Sequence, residues 1–443
     1  MRRRDRTFGL VGSQANTLTR SLDQLKRDAL DIVQAGIAAC DAGRLVAQAL
    51  TPARDRSPKG LYAKCIAAGK AAVAMARAAA DVLPLREGLI VAPSAEAFGP
   101  FDAIGGGHPI PTEGSERGGR RALDIARSLG AGDALLVLLS GGASALMAVP
   151  AEGLTLDDKQ KTTSQLLRAG ADIHALNTVR KHLSAIKGGW LAASARGPVH
   201  TLAISDVVGD DVSVIASGPT VADVSTFDDA RRLLDRYGGT GAYPASVVAR
   251  LDRGTRGEVA DTPKPGSAAL ARSTIEVIGS RRDAMRGARE RASSLGYSVI
   301  VVDDAVTGDA RAAAVSHLRA ALARASTEPR PLCIVSSGET TVTVRGHGKG
   351  GRNQEFVLAA VPEGSQAPFV VVSVGTDGVD GPTDAAGAIG DSTTLARARA
   401  SGLDPQRFLD DNNTYEFFNI LDDLIRTGPT GTNVGDLQLL LLA

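Results

Sequence analysis

The most restrictive feature of the sequence is an apolar run that ends in two adjacent glycines. Residues 135–139 are all Leu or Val, and Ser140, Gly141, Gly142 and Ser144 come within the next five residues. Five consecutive apolar residues predict a strand buried on both faces, as in a parallel sheet covered by helices. Glycine N–H groups at the C-terminal end of such a strand form a concave surface that suits a phosphate. The segment therefore predicts an α/β fold with an anion site at the strand end.

Junctions between an apolar strand and a glycine loop recur elsewhere in the chain. They occur at Gly69-Lys70, Gly338-Glu339 and Gly375-Thr376-Asp377-Gly378. A single junction is equally typical of a tight turn before a helix. Because ligands of parallel sheets bind outside the carboxyl ends of the strands, several such loops together favour a phosphoryl-transfer enzyme.

Composition excludes several classes of protein. The 443 residues carry 50 Lys and Arg against 49 Asp and Glu, so no charge excess points to nucleic acid or an anionic membrane. Three isolated cysteines argue against a disulfide framework or a structural zinc site and suit a reducing compartment. No apolar run approaches the roughly 20 residues that span a bilayer, and the basic start at 1–6 lacks the apolar region of a secretory signal. A cytoplasmic enzyme is expected.

The order of the predicted elements indicates two α/β domains. Strands and helices alternate from residue 62 to residue 204, and again from residue 274 to a short strand at 341–344. Residues 250–268 are rich in Gly, Pro and charge without apolar periodicity, which predicts a linker or long surface loop. The predicted domains are therefore 15–249 and 269–443.

Lys70 and Asp206 each follow a buried strand. Lys70 does not belong to a P-loop, because Lys64 stands where that motif needs its first glycine and Ala71 follows Lys70. On its own it would be read as a surface lysine. Asp206 could bind Mg²⁺ or accept a proton, since carboxylate oxygens suit both roles, and the sequence leaves the two roles open.

A G-x-G-x-x-G pattern at Gly346, Gly348 and Gly351 is typical of dinucleotide-binding dehydrogenases. Lys349 and Arg352 add two cations where that fold relies on backbone N–H groups. A cationic glycine loop is better matched to a triphosphate or an acidic substrate. The dehydrogenase stays open as the alternative.

Taken together and in this order, the motifs resemble the glycerate 2-kinase family, whose C-terminal portion is often called the MOFRL domain. The resemblance covers roughly residues 20 to 443. It rests on Gly69-Lys70-Ala71, Gly107-His108-Pro109, and residues 140–145, 177–184, 205–207, 217–219, 338–341, 350–355, 375–378 and 430–436.

The resemblance implies two α/β domains, the first a Rossmann-like parallel sheet, with the active site in the cleft between them. It implies ATP- and Mg²⁺-dependent phosphorylation of D-glycerate at its 2-hydroxyl, giving 2-phosphoglycerate and ADP. Some relatives carry a hydroxypyruvate reductase label, so an NAD(P)H-dependent reductase is the alternative. The expected partners are D-glycerate and ATP, with no nucleic acid or membrane, and a homodimer is one oligomeric state that the sequence allows.

The resemblance and the motif chemistry together assign the site residues. Lys70, Asp206 and Arg352 are the expected catalytic residues, and Asp206 and Asp377 the candidate Mg²⁺ ligands. Substrate or phosphate would be bound by Ser140, Gly141, Gly142, Ser144, His108, Glu339, Asn353 and Gln354. The nucleotide would be bound by Gly375, Thr376, Asp377 and Gly378.

Overall fold

The computed structural model describes residues 20–56, 62–94, 96–364 and 367–443. The basic start at 1–6 and the predicted domain start at residue 15 lie outside these ranges. No helix within them combines the length and the apolar content needed to cross a membrane.

The first sheet has six parallel strands in the order β3-β2-β1-β4-β5-β6. This is the strand order of a Rossmann-like sheet. The central strand β4 is buried along its whole length, as its apolar run predicts. The strands are β1 (Tyr62–Ala68), β2 (Glu87–Ala92), β3 (Phe101–Gly105), β4 (Ala134–Leu139), β5 (Val199–Ile204) and β6 (Ser273–Gly279).

Helices cover both faces of this sheet. Apolar residues of α2 (Ala42–Arg56) and α3 (Ala72–Val82) pack on one face, and those of α4 (Glu113–Arg127), α5 (Ala143–Leu146) and α8 (Trp190–Ala193) on the other. A separate helical cluster buries its own apolar side chains beside the sheet. It contains α6 (Leu156–Arg168), α7 (Ile173–His182), α9 (Phe227–Arg236) and α10 (Ala245–Thr255).

The second sheet is mixed and has the order β12-β11-β10-β13-β9-β7, with β8 paired to β9. Strands β7 and β8 run parallel to β9, whereas β9, β13, β10, β11 and β12 pair antiparallel to one another in turn. The strands are β7 (Ser298–Val301), β8 (Val306–Asp309), β9 (Leu332–Thr341), β10 (Phe369–Gly375), β11 (Gly387–Asp391), β12 (Leu424–Ile425) and β13 (Asp436–Leu442).

Two helices, α1 (Leu22–Ala39) and α11 (Arg281–Ser294), pack together on one face of the second sheet. The other face holds α12 (Ala310–Ala325) and α13 (Arg352–Ala360), with the shorter α14 (Thr394–Ala400), α15 (Pro405–Asp410) and α16 (Thr414–Ile420) around them. Short 3₁₀ turns lie at Ile215–Ser217, Thr240–Ala242, Ala268–Leu270 and Val361–Glu363.

The two sheets divide the chain differently from the predicted boundaries 15–249 and 269–443. Strand β6 follows the predicted linker but pairs with β5 in the first sheet. Helix α1 precedes the first sheet but buries its apolar stripe against the second, together with Val370 and Leu437. The chain therefore passes from one sheet to the other after α1 and again after β6.

Two other segments differ from the sequence expectation. The predicted linker 250–268 begins as the end of α10 and later buries Thr262, and Asp261 accepts a hydrogen bond at 3.0 Å from His182 Nε2. The predicted strand 341–344 is absent from the described residues, because β9 itself continues to Thr341 and is followed by irregular chain.

Candidate active site

The site begins where the strand order of the first sheet reverses, between β1 and β4. Gly69 ends β1 with φ +130°, and a Cβ there would lie 2.1 Å from Ser140 Oγ, so glycine is required. The amide of Lys70 donates to the Gly141 carbonyl at 2.9 Å, and the Ala71 amide donates to Ser140 Oγ at 3.0 Å. These contacts lock the two strand-end loops together at the position where such sheets bind ligands.

A cavity of about 620 Å³ opens beside these loops. It is lined by residues of both halves of the chain, including Gly141, Gly142, Ser144, Asp206 and Glu339. Within the described ranges, the amides of Gly141 and Gly142 donate to no acceptor. Three of the expected substrate residues, Gly141, Gly142 and Ser144, therefore share one cavity with Glu339 of β9, whereas Ser140 and His108 do not line it.

Lys70 connects the two sheets across this cleft. Its Nζ lies 2.7 Å from Asp377 Oδ2 in the loop that follows β10. His108 is close to both groups, and a Cβ on Gly142 would lie 2.9 Å from the His108 ring. Burial lowers the pKa of His108, and the positive charge of Lys70 lowers it further. The negative charge of Asp377 raises it, but by less, so the pKa stays below its usual value. His108 is therefore an uncharged side chain of the cleft at neutral pH.

Asp206 follows β5 and is held by a residue of the other half of the chain. Asn433 Nδ2 donates to Asp206 Oδ2 at 3.0 Å. A Cβ on Gly141 would lie 2.2 Å from the same oxygen, so the glycine lets the carboxylate approach the loop. Burial raises the pKa of Asp206, with Lys70 and Arg352 opposing and Asp377 adding to the rise. A buried carboxylate of this kind is a better proton acceptor than an exposed one.

Arg352 is the first residue of α13 and forms a bidentate ion pair with Asp436 at the start of β13. Its Nε and Nη2 atoms donate to the two carboxylate oxygens at 2.7 and 2.8 Å. Burial lowers the pKa of Arg352, but Asp436 outweighs it, and the pKa is held above its usual value. Glu339 lies 3.6 Å from the guanidinium with 45% of its side chain exposed. Burial at the cleft mouth raises the pKa of Glu339 to about 7, against the pull of Arg352.

Asn353 and Gln354 lie in the protein interior beneath the cleft. Their amides donate to the two oxygens of Asp380 at 3.0 and 2.9 Å, so this carboxylate caps the start of α13. The Asn353 side chain also donates to Asp436 at 3.0 Å and accepts from Ser373 at 2.6 Å. Asn353 thereby holds the carboxylate that positions Arg352.

The loop Gly375, Thr376, Asp377 and Gly378 is packed against the segment that precedes β13. Thr376 Oγ1 donates to the Gly435 carbonyl at 2.6 Å and accepts from the Val434 amide at 2.9 Å. A Cβ on Gly378 would lie 2.0 Å from the Gly428 carbonyl. This packing presents Asp377 to Lys70.

The loop that carries the G-x-G-x-x-G pattern is hydrogen-bonded to other parts of the protein. The amides of Arg345 and Gly346 donate to Asn412 Oδ1 at 2.7 and 3.0 Å. Those of His347 and Lys349 donate to Asp411 and Asn413 at 2.9 and 3.1 Å. Because Asp380 also occupies the start of α13, the N–H groups that a pyrophosphate needs are already satisfied.

Several residues of the cleft were not among the predicted site residues. Asn433, Asp436 and Asp380 hold Asp206, Arg352 and the start of α13 from distant parts of the sequence. Asn433 and Asp436 lie in the segment 430–436, which is one of the motifs shared with the family and could have indicated them. Nothing in their spacing indicated which catalytic side chain each would contact.

Comparison with known proteins identifies the family. Residues 28–252 match the family model described as "Domain of unknown function (DUF4147)", and residues 332–436 match the MOFRL family. A glycerate 2-kinase of Pyrococcus horikoshii is 40% identical over 390 residues, covering 85% of this chain and 86% of that protein. The chain belongs to the glycerate 2-kinase family.

One relative has a crystal structure, and another relative carries a different name. A crystal structure of glycerate kinase from Thermotoga maritima is 37% identical, with a TM-score of 0.83 over 95% of this chain and all of that one. A protein of Agrobacterium vitis named putative hydroxypyruvate reductase is 38% identical over 85% of this chain and 86% of its own length. The fold and the membership expected from the motifs are confirmed.

Proposed function

We propose that this protein transfers the γ-phosphoryl group of ATP to the 2-hydroxyl of D-glycerate and releases 2-phosphoglycerate and ADP. The observation that supports this most is that Lys70 and Arg352, from two distant segments, both lie near enough to the buried carboxylate of Asp206 to oppose the rise of its pKa. Relatives named for this activity span most of the chain. A phosphoryl transfer needs cations for the charge on the moving group and a carboxylate for the attacking hydroxyl.

The cations have the freedom that such a role requires. The Lys70 side chain is 31% exposed although it pairs with Asp377. Arg352 has five N–H donors and uses two on Asp436, which leaves three for a ligand. We assign both to stabilising the negative charge of the phosphoryl group in transfer.

Asp206 is assigned to the attacking hydroxyl. The bond from Asn433 fixes the orientation of its carboxylate, and burial raises its pKa toward the range of a proton acceptor. We infer that Asp206 orients the 2-hydroxyl and takes its proton. The amides of Gly141 and Gly142, with Ser140 behind them, would bind phosphate oxygens.

Mg²⁺ would be held by few protein ligands. In the described parts of the chain, no three His, Cys, Asp or Glu side chains are grouped to bind a metal by themselves. Asp206 and Glu339 line the same cavity and repel each other, and Asp377 is already paired with Lys70. One or two carboxylates with nucleotide phosphates suffice for Mg²⁺, so Asp206 and Glu339 fit this role better than Asp377. When bound, the ion would neutralise phosphate charge.

One experiment separates the kinase from the reductase alternative. The purified protein is incubated with ATP, Mg²⁺ and D-glycerate, and phosphorus NMR identifies the product. Oxidation of NADH or NADPH by hydroxypyruvate is measured in parallel. We expect 2-phosphoglycerate and negligible NAD(P)H oxidation. Reductase turnover well above ATP-dependent turnover would refute the proposal, as would 3-phosphoglycerate as the main product.

A further inference from the structure

One part of the cavity lining has no role in the chemistry above. It is formed by α7 and the 3₁₀ turn at Ile215–Ser217, and it brings Asn177 and Arg180 to the cavity that Asp206 also lines. Both residues lie on the same helix, three positions apart, so their side chains share one face of it.

Asn177 presents an unpaired donor. The residue is 3% exposed, and its Oδ1 accepts a hydrogen bond from Ser217 Oγ at 2.9 Å. This bond orients the amide, so the Nδ2 group is the one left over, and it has no partner among the described residues. Buried donors of folded proteins are nearly always paired, which points to a ligand as the missing acceptor.

Ser217 belongs to a network that holds this amide in place. Its hydroxyl lies 2.6 Å from Ser144 Oγ, and Lys187 Nζ donates to the Ser144 hydroxyl and carbonyl at 3.1 and 2.7 Å. The predicted substrate residue Ser144 is thus tied to Asn177 through Ser217. The amide is rigidly positioned before any ligand arrives.

Arg180 is the second unpaired group. Its guanidinium makes no hydrogen bond or ion pair with any residue in the described ranges, and burial lowers its pKa to about 10. It is also not needed to cap α7. Arg250 donates to the His182 carbonyl and Lys159 to the Leu183 carbonyl, both at 2.9 Å, so the end of the helix is already satisfied.

Two further basic side chains lie near Arg180. Lys159 and Lys187 are buried nearby, and Arg180 adds to the effect of burial in lowering the pKa of each, to about 7 for Lys159. Glu116 opposes this only weakly at Lys159. An anion bound beside Arg180 would stabilise the charged form of all three basic groups.

We propose that Arg180 and Asn177 form the subsite that binds the carboxylate of the 2-hydroxy acid substrate. The planar guanidinium pairs with both carboxylate oxygens, and Asn177 Nδ2 donates to one of them. The hydroxyl on the adjacent carbon then faces Asp206 in the same cavity. This inference rests on the proposed function for the identity of the acid, but the subsite can be tested by binding alone.

The test compares Arg180→Met with Arg168→Met, a change at an exposed arginine outside the cavity. We expect Arg180→Met to raise the KM for D-glycerate about 10- to 100-fold, the range for losing charged hydrogen bonds. The KM for ATP should stay within about twofold of wild type. Arg168→Met should match wild type throughout.

A second variant and a binding assay complete the design. Asn177→Asp keeps an acceptor for Ser217 but places a negative charge beside the substrate carboxylate. It should therefore weaken the binding of D-glycerate and leave the KM for ATP unchanged. Titration calorimetry of D-glycerate without nucleotide should show binding to wild type and its loss in both variants. Circular dichroism checks that the variants fold. If Arg180→Met does not fold, the binding of D-glycerate by folded Asn177→Asp tests the subsite instead.

The two proposals fail in different ways. An unchanged KM for D-glycerate in folded Arg180→Met, or a rise in the KM for ATP alone, overturns the subsite while the kinase stands. Absence of kinase activity in wild type, with binding of D-glycerate that still depends on Arg180, overturns the function while the subsite stands.

Discussion

Replacing Lys70 by alanine separates a catalytic role from a structural one. The Lys70 and Asp377 side chains are 31% and 14% exposed. An ion pair so near solvent contributes about 0–1 kcal/mol to folding. Loss of a group that stabilises transition-state charge costs about 10²–10³ in kcat, or about 2.7–4 kcal/mol. We therefore expect Lys70→Ala to lose at least about a hundredfold in kcat with little change in the free energy of unfolding.

The assay measures steady-state formation of ADP with D-glycerate, together with urea unfolding. Lys64→Ala is a matched control, since Lys64 lies on β1, the strand that precedes Lys70, and pairs with Glu87 at 2.6 Å. It should lose an ion pair and keep its activity. A folded Lys70→Ala protein with kcat near wild type would refute the assignment and leave Lys70 as a connection between the sheets.

Three further variants test other parts of the cleft. Arg352→Lys keeps the charge but cannot reproduce the two-pronged pair with Asp436, so we expect at least about a tenfold loss of kcat; the dinucleotide hypothesis predicts nearly unchanged kinetics. The carboxylate form of Glu339, which Mg²⁺ binding needs, predominates above its pKa of about 7. We therefore expect kcat/KM to rise with pH through that value, and Glu339→Gln to lack this rise in profiles between about pH 5.5 and 8.5. Gly141→Ala would place a methyl group 2.2 Å from Asp206 Oδ2, and we expect at least about a tenfold fall in kcat because the carboxylate must move; full activity would contradict the assignment of Asp206.

Local sequence was sufficient for the elements whose signals are local. The apolar run of β4 and the glycines after it predict a buried strand and its loop, because a strand of this kind is stable only when covered on both faces. The same holds for Lys70 and Asp206, which follow strands whose carboxyl ends meet at one edge of the first sheet. Their shared location follows from parallel topology alone.

The sequence did not predict to which of the two sheets each element belongs. Strand β6 and helix α1 look like their neighbours in sequence, yet each packs on the sheet farther from it along the chain. The choice depends on which apolar surface remains uncovered once both sheets exist, such as the face of the second sheet that Leu25 and Ile32 cover. That surface exists only in the folded protein, so the pattern of apolar residues along the sequence does not predict it.

The sequence by itself determined the α/β class, the strand-end loops and, through its motifs, the family. Only the tertiary structure decided the partners of each charged group: Asp377 for Lys70, Asn433 for Asp206 and Asp436 for Arg352. It also left Arg180 without a partner among the described residues and gave the amides of the glycine-rich loop before α13 acceptors within the protein. Strands and turns depend on neighbours along the chain, whereas these three contacts join residues 84 to 307 positions apart, and their geometry exists only after packing.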